Sequence, residues 1–111
     1  MYARIARFEG LEPGGIDQQV AEIKAQIDQS RASGEVPPGA PEQVRTLMET
    51  VKRVVQFADR EHGTALGIVF CDTEDDVRRA DAALNEMSPG EGAGQRTGVE
   101  IYEVLLDEDF A

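Results

Sequence analysis

The sequence predicts one small α+β domain with element order βαββαβ and a four-stranded antiparallel sheet. Three observations predict it: two stretches with apolar residues at helical spacing, two central strand-like runs joined by a short polar turn, and a strand-like run near each end. The length of 111 residues is that of one domain. With both helices on one face of the sheet, this order is the split βαβ, or ferredoxin-like, arrangement.

The first half of the chain supplies one strand and one helix. Tyr2–Phe8 is short and apolar-rich and ends near Gly10, which is typical of a strand. The apolar residues that follow recur at i, i+4, i+7 and i+11, which is one stripe of a helix: Ile16, Val20, Ile23 and Ile27. Residues Ser30–Glu42 contain three prolines and two glycines and are predicted to form a loop within the single domain 1–111. After Pro41, apolar residues at helical spacing predict about two further helical turns.

The second half supplies a hairpin, a helix and a last strand. Val51–Ala58 and Thr64–Cys71 are β-branched and aromatic runs joined by a short polar segment with glycine, which predicts a β-hairpin. A helix capped at Asp72-Thr73 follows, and its apolar stripe consists of Val77, Ala80, Leu84 and Met87. Ser88-Pro89-Gly90 is predicted to stop this helix, and Val99–Leu106 is predicted to be the last strand.

Composition excludes several classes of partner and site. The net charge of −11 disfavours nucleic acid and anionic membranes as partners. No apolar run is long enough for a membrane span, and the first residues lack the pattern of a secretion signal. A single cysteine, Cys71, excludes a disulfide framework within the chain and a multi-cysteine metal site. We therefore expect a cytoplasmic protein.

Alternation along the hairpin predicts which side of the sheet meets the helices. The bulky set is expected to face them: Val51, Val55, Phe57, Leu66, Ile68 and Phe70, with Arg53 as the exception. The opposite set contains small residues and is expected to meet a second copy of the chain: Lys52, Val54, Gln56, Ala58, Ala65, Gly67, Val69 and Cys71. Alternate residues of the first and last strands are expected to extend this second face, where a buried pair such as Arg4 with Glu100 is tolerated only if it is hydrogen-bonded.

Several sequence features carry a family resemblance that covers nearly the whole chain. The Asp59–Ile68 run, the Asp72–Asp76 helix start, the Val99–Val104 strand and the element order resemble the dimeric α+β barrel superfamily, and within it proteins similar to antibiotic-biosynthesis monooxygenases. The resemblance implies a homodimer in which two sheets form a barrel. Some members are cofactor-free monooxygenases of polycyclic substrates, some degrade haem, and many have no known activity. Members often carry tryptophan where this sequence has Cys71.

Five residues are predicted to contact a ligand in a cavity between the sheet and its partner: Arg4, Phe8, Gln56, Cys71 and Tyr102. In a cofactor-independent oxygenase, Tyr102 or Gln56 would be the donor that polarises a deprotonated substrate. The alternative for Tyr102 is packing at the dimer interface with its hydroxyl satisfied. No cofactor is expected.

Other chemically suggestive residues have structural explanations. His62 lies in the predicted hairpin turn, where a solvated side chain is more typical than a haem ligand. Cys71 has no second histidine to serve as its base, so packing is the simpler role. The acidic residues Glu74–Asp76 are interpreted as capping the start of a helix. A metal site is less favoured, because consecutive side chains on a helix point in different directions and would not converge on one ion. Gly90–Gly94 follows a helix and therefore lacks the context of a phosphate-binding loop.

Three functional hypotheses follow from the sequence. The first is a homodimer that binds a small apolar or ring-containing molecule between the sheet and its partner. The second is a cofactor-independent monooxygenase acting on an aromatic substrate. The third is an interaction module whose barrel is filled by its own side chains. An apolar pocket of a few hundred Å³ on which Tyr102 and Gln56 converge favours the first two, whereas a dry, filled barrel favours the third.

Overall fold

The computed structural model describes residues 1–12, 14–36, 38–87 and 94–111. Its elements are, in chain order, β1 (Tyr2–Glu9), α1 (Gly15–Ser33), α2 (Glu42–Thr50), β2 (Val51–Asp59), β3 (Thr64–Cys71), α3 (Glu74–Asn85) and β4 (Gln95–Glu103). The strands form one four-stranded sheet in the order β2-β3-β1-β4, and every neighbouring pair is antiparallel. The predicted ferredoxin-like α+β fold is confirmed, with α2 as the short extra helix.

Three element boundaries differ clearly from those predicted, one of them the end of β4, which lies at Glu103 and not at Leu106. Helix α1 is longer than predicted and continues through Ser33. Gly34 ends it in the left-handed conformation (φ 67°), and the Gly34 N–H donates to Ser30 O at 2.8 Å. Strand β4 starts at Gln95, earlier than predicted, because a bulge between Arg7 and Phe8 keeps this polar stretch paired with β1. The predicted helix stop at Ser88-Pro89-Gly90 and most of the Gly90–Gly94 run lie outside the described residues.

The core identifies the side of the sheet that meets the helices. Cys71, Val77 and Ala80 are fully buried together, with Tyr2, Leu47, Val51 and Ile101 packed against them. Paired residues of neighbouring strands share a face, and every second residue along a strand points to the same side. The pairs that share the side of Cys71 are therefore Tyr2 with Cys71, Arg4 with Val69, Ala6 with Gly67, and Phe8 with Ala65. The small-residue set therefore faces α3, and the face assignment predicted from the sequence is wrong.

Close packing of helix on sheet explains the reversal. Helix α3 turns Ala80 and Ala83 toward the core, and small side chains on the sheet let the two layers approach. The bulky set points to the other side, which we call the open face. Its apolar members are Ala3, Ile5, Val55, Phe57, Leu66, Ile68, Phe70 and Tyr102. Val51 is the exception to the predicted alternation, because a bulge at Lys52 shifts it to the helix side.

Arg4 is the buried charge that joins the sheet to α3. Its side chain is 4% exposed, and its Nε donates to Asp81 Oδ1 at 2.8 Å. Its Nη2 donates to Asn85 Oδ1 at 3.1 Å. The predicted partner, Glu100, lies on the open face, so the expected Arg4–Glu100 pair is wrong.

The start of α3 confirms the capping interpretation of its acidic residues. Thr73 is the N-cap, and its hydroxyl accepts from Asp76 N at 3.1 Å. Glu74, Asp75 and Asp76 fill the first turn, where the helix dipole favours negative charge. No helix in the described ranges is long and apolar enough to cross a membrane.

Gly94 is predicted to be the glycine least tolerant of substitution. Its φ is +75°, and a Cβ at this position would run into the backbone carbonyl oxygen of Glu9. We expect Gly94→Ala to lower the free energy of unfolding by about 2 to 4 kcal/mol, through strain and overpacking. Gly98→Ala is the control, because its Cβ would meet only Arg7 Cδ at 3.9 Å. Urea unfolding checks the pair, and equal stabilities for the two variants would contradict the prediction.

Candidate functional site

The open face is an apolar surface on the side of the sheet opposite the buried core of Cys71, Val77 and Ala80. Phe57 is 54% exposed and Tyr102 is 51% exposed, while Ile5, Ile68 and Phe70 between them are half-buried. Contiguous apolar surface of this kind on a small protein marks an interaction site.

Charged side chains on the open face are paired. Arg7 Nε donates to Glu100 Oε1 at 3.2 Å, and the Tyr102 hydroxyl donates to Glu100 Oε2. The guanidinium of Arg53 lies 5.5 Å from the centroid of the Phe70 ring, within cation–π range. Although the whole chain is strongly acidic, this face thus carries little net charge.

A depression of about 370 Å³ lies at the end of the sheet nearest the β2–β3 turn. Apolar and polar side chains both line it: Arg7, Phe8, Glu9, Phe57, Ala58, Asp59, Thr64, Ala65, Leu66 and Thr97. Two carboxylates and one guanidinium are among them, together with two hydroxyls. Such a lining suits a ring that is neutral or weakly cationic better than an anion.

The bulge between Arg7 and Phe8 lies beside this depression, since Arg7, Phe8 and Thr97 all line it. It leaves Thr97 without a paired residue on β1, and the Thr97 hydroxyl lies 3.5 Å from Arg7 O. Bulges bend a strand and redirect its side chains, often beside binding sites. Phe8 keeps its place with the helix-side residues in the β1–β3 register and borders the depression at the strand end.

The five sequence-predicted ligand residues are divided between the two faces. Arg4, Gln56 and Cys71 lie on the helix side, Tyr102 lies on the open face, and Phe8 lies at the strand end beside the depression. The expectation that all five share the face toward a partner sheet is wrong. Phe8 and Gln56 do lie together, because a Cβ on Gly67 would meet Gln56 Oε1 at 3.4 Å and Phe8 Cε2 at 3.7 Å. Contact of any of the five with a ligand stays a prediction.

Cys71 is a packing residue whose thiol has a raised pKa. Its side chain is completely buried in the core beside α3. Burial raises the pKa of the thiol, and the negative charges of Asp76 and Asp72 raise it further. Because the thiolate is the reactive form, this cysteine is a poor nucleophile near neutral pH.

His62 lies in the exposed β2–β3 turn and interacts with Asp59. The ring Nδ1 is 2.7 Å from Asp59 Oδ2, and the His62 backbone N–H donates to Asp59 Oδ1 at 3.2 Å. These hydrogen bonds, the side-chain one first, lower the pKa of the Asp59 carboxyl. The carboxylate form of Asp59 is thereby favoured at the edge of the depression.

The pKa of Asp59 is expected to rise toward its ordinary value in His62→Ala. Because the pKa of Asp59 is lowered in the folded state, its hydrogen bonds with His62 stabilise the fold above the ordinary carboxyl pKa. This stabilisation of the fold is lost as the pH falls through the lowered pKa. Removing the ring removes the largest cause of the shift. Carboxyl carbon NMR titration of both proteins measures it. An unchanged Asp59 titration midpoint would refute the role given to the His62 ring.

Sequence reasoning missed Arg7, Glu100, Phe57 and Leu66 as members of the exposed site. A signal for the correct face existed in α3. Asp81 and Asn85 each follow an apolar stripe residue by one position and so border the buried stripe, where they need a polar partner on the sheet. In the described residues, no cluster of three or more histidine, cysteine, aspartate or glutamate side chains could hold a metal ion.

The fold and its open face together define a ferredoxin-like α+β protein with an unpartnered apolar sheet surface. Among solved structures it is similar to Rv0793 from Mycobacterium tuberculosis, with a TM-score of 0.51 and 14% sequence identity over 97% of this chain and 98% of that chain. A crystal structure of antibiotic biosynthesis monooxygenase aligns over 98% of this chain and 99% of that chain, with a TM-score of 0.43 and 15% identity. No family model matches the sequence, and no curated protein matches it. The similarity to Rv0793 is one of fold.

Proposed function

We propose that this chain is a single-domain homodimer that packs two open faces together and binds a small apolar or ring-containing molecule between one sheet and its partner. The observation that carries the proposal is the open face itself, with its depression. The proposal includes a cytoplasmic location, where the lone cysteine would stay reduced.

Charge distribution supports a second copy as the occupant of the open face. Two copies of a chain with net charge −11 repel each other on average. On the open face, however, Arg7 and Glu100 neutralise each other, and Arg53 adds a positive charge beside Phe70. The middle of this face therefore repels a second acidic copy less than the net charge of the chain suggests. Two sheets in face-to-face packing lie about 10 Å apart, which permits their apolar side chains to interdigitate.

The depression supports a small ligand between the sheets. Its volume of about 370 Å³ is at the lower end of the range of ligand sites. In one protomer it is open to solvent, and a partner sheet across it would enclose it. Phe57 and Leu66 would then contact the ring of the ligand, and the hydroxyls of Thr64 and Thr97 would bind its polar substituents.

Two measurements test the proposal. Sedimentation velocity at micromolar concentration is expected to give a dimer, and a monomer would refute it. The fluorescence of N-phenyl-1-naphthylamine, a neutral apolar ring, is expected to rise on binding. Phe57→Ala should weaken this binding about tenfold, whereas Val54→Ala, the same kind of truncation on the helix side, should leave it unchanged. No fluorescence change with the wild-type dimer would refute the ligand site.

The second candidate function is a cofactor-independent monooxygenase on an aromatic substrate. It is favoured by one observation, the grouping of Glu100 with Arg7 and the Tyr102 hydroxyl. Glu100 could take a proton from an acidic CH₂ group, and Arg7 and Tyr102 could stabilise the enolate that forms. Molecular oxygen would then oxidise that carbon to a carbonyl, with its second oxygen atom leaving as water. Oxygen uptake with anthrone that is abolished in Glu100→Gln would support this function, and no uptake would refute it.

A further inference from the structure

The C-terminal tail, residues 104–111, carries large apolar side chains that the described part of the chain leaves uncovered. Leu105 is 86% exposed, Leu106 is 80% exposed, and Phe110 is fully exposed. They lie within six residues of one another, between acidic residues that keep the segment hydrated. Such a concentration of exposed apolar surface in one short segment marks a surface that another molecule covers.

The tail is attached at one end of the open face. The Val104 N–H donates to Met1 O at 2.9 Å, which extends the pairing of β4 with β1. Three residues later, Asp107 Oδ2 lies 3.8 Å from Nη1 of Arg53 on β2. Because β4 and β2 are opposite edges of the sheet, the tail crosses the ends of β1 and β3 between these two contacts. This crossing lies at the opposite end of the strands from the depression.

Two-fold symmetry can bring these two ends together. When two sheets pack face to face about an axis that runs across their strands, the Arg53 end of one sheet lies over the Phe57 end of the other. The residues after Asp107 can extend about 13 Å, and the distance between the two sheets is about 10 Å. The tail can therefore reach its partner's depression.

We infer that each tail closes the depression of the partner, with Leu106 and Phe110 packed against the partner's Phe57 and the partner's Leu66. This inference rests on the proposed homodimer. Each binding site is then composite, because one chain supplies the lined depression and the other supplies the apolar wall that excludes water from it. A single protomer would bind its ligand weakly or not at all.

Cross-linking between two variants that each add one cysteine tests the inference directly. Phe110→Cys and Leu66→Cys are prepared as chains of different length, mixed by refolding, and treated with a short bis-maleimide. The native Cys71 is buried and should stay unreactive, which the wild-type protein checks. We expect a conjugate of the two different chains in high yield. Replacing Phe110→Cys by Ala25→Cys, on an exposed position of α1, is the control and should give little conjugate.

The outcomes separate this inference from the proposed function. If the mixed protein sediments as a monomer, the homodimer itself is refuted. If it sediments as a dimer and the Phe110→Cys and Leu66→Cys chains give no more conjugate than the control, the tail inference alone is refuted. Efficient conjugation of Phe110→Cys with itself would also overturn it, because the tails would then meet each other.

A second measurement does not depend on cysteine chemistry. Phe110→Ser is expected to weaken binding of N-phenyl-1-naphthylamine about tenfold or more, since one buried phenyl ring is lost from each site. Val20→Ser removes another exposed apolar side chain, 40% exposed on α1, and should have no effect. Equal affinity in the Phe110→Ser and wild-type dimers would contradict the inference.

Discussion

Ile68→Arg is expected to convert the homodimer into monomers. Ile68 lies on the central strand β3 in the middle of the open face, directly between Ile5 of β1 and Val55 of β2. Packing two open faces would bury one unpaired guanidinium from each copy against apolar side chains. An uncompensated buried charge costs about 3 to 5 kcal/mol, so the dissociation constant should rise at least about 100-fold. Sedimentation velocity across a concentration series measures this change.

Val54→Arg is the matched control for the open face. Val54 lies on the neighbouring strand β2, is 40% exposed and belongs to the helix side of the sheet. The same guanidinium placed there should leave the dimer intact. Far-ultraviolet circular dichroism should be native-like for both variants, which separates dissociation from unfolding. If Val54→Arg dissociates the dimer and Ile68→Arg does not, the second copy does not lie on the open face.

The elements of this fold could be predicted because their signals are local. Helix α3, the cap at Thr73 and the two runs of the hairpin are each determined by residues close together in sequence, and the structure confirms them. Of the predicted α3 stripe, Val77 and Ala80 are buried, whereas Met87 lies beyond the end of the helix at Asn85. Boundaries are less local. Strand β4 includes Gln95, whose polar side chain is typical of a loop, because pairing with Glu9 across the bulge determines where the strand begins.

The orientation of the sheet could not be predicted from alternation alone. Alternation separates two sets of side chains and does not determine which set meets the helices. That choice depends on contacts between residues distant in sequence, above all the ion pair of Arg4 with Asp81 and the packing of Cys71 with Val77 and Ala80. For the same reason the five predicted ligand residues are divided between the two faces, and the depression is lined by Phe57 and Leu66, which the alternation predicts to face the helices.

Asp81→Ala is expected to be among the most destabilising substitutions of a partly exposed residue in this chain. It leaves the Arg4 guanidinium, which is 4% exposed, with only Asn85 as a side-chain acceptor. Removing one member of a buried ion pair costs about 3 to 5 kcal/mol, and the 26% exposure of Asp81 favours the lower part of that range because water can reach the site. Urea unfolding at one fixed protein concentration measures the loss, since dimerisation would otherwise contribute.

Two further variants distinguish an unpaired charge from the loss of a useful ion pair. Arg4→Met combined with Asp81→Leu removes both charges and keeps comparable volume, so its stability should return to within about 1 kcal/mol of the wild type. Arg78→Ala is the exposed control, because the Arg78–Glu74 pair lies on the solvent side of α3 and should contribute at most about 0.5 kcal/mol. If Asp81→Ala destabilises no more than Arg78→Ala, Arg4 is solvated in solution and does not hold α3 on the sheet. The orientation of the sheet depends on this contact, because a charged residue on the helix side is tolerated only where α3 supplies its acceptors.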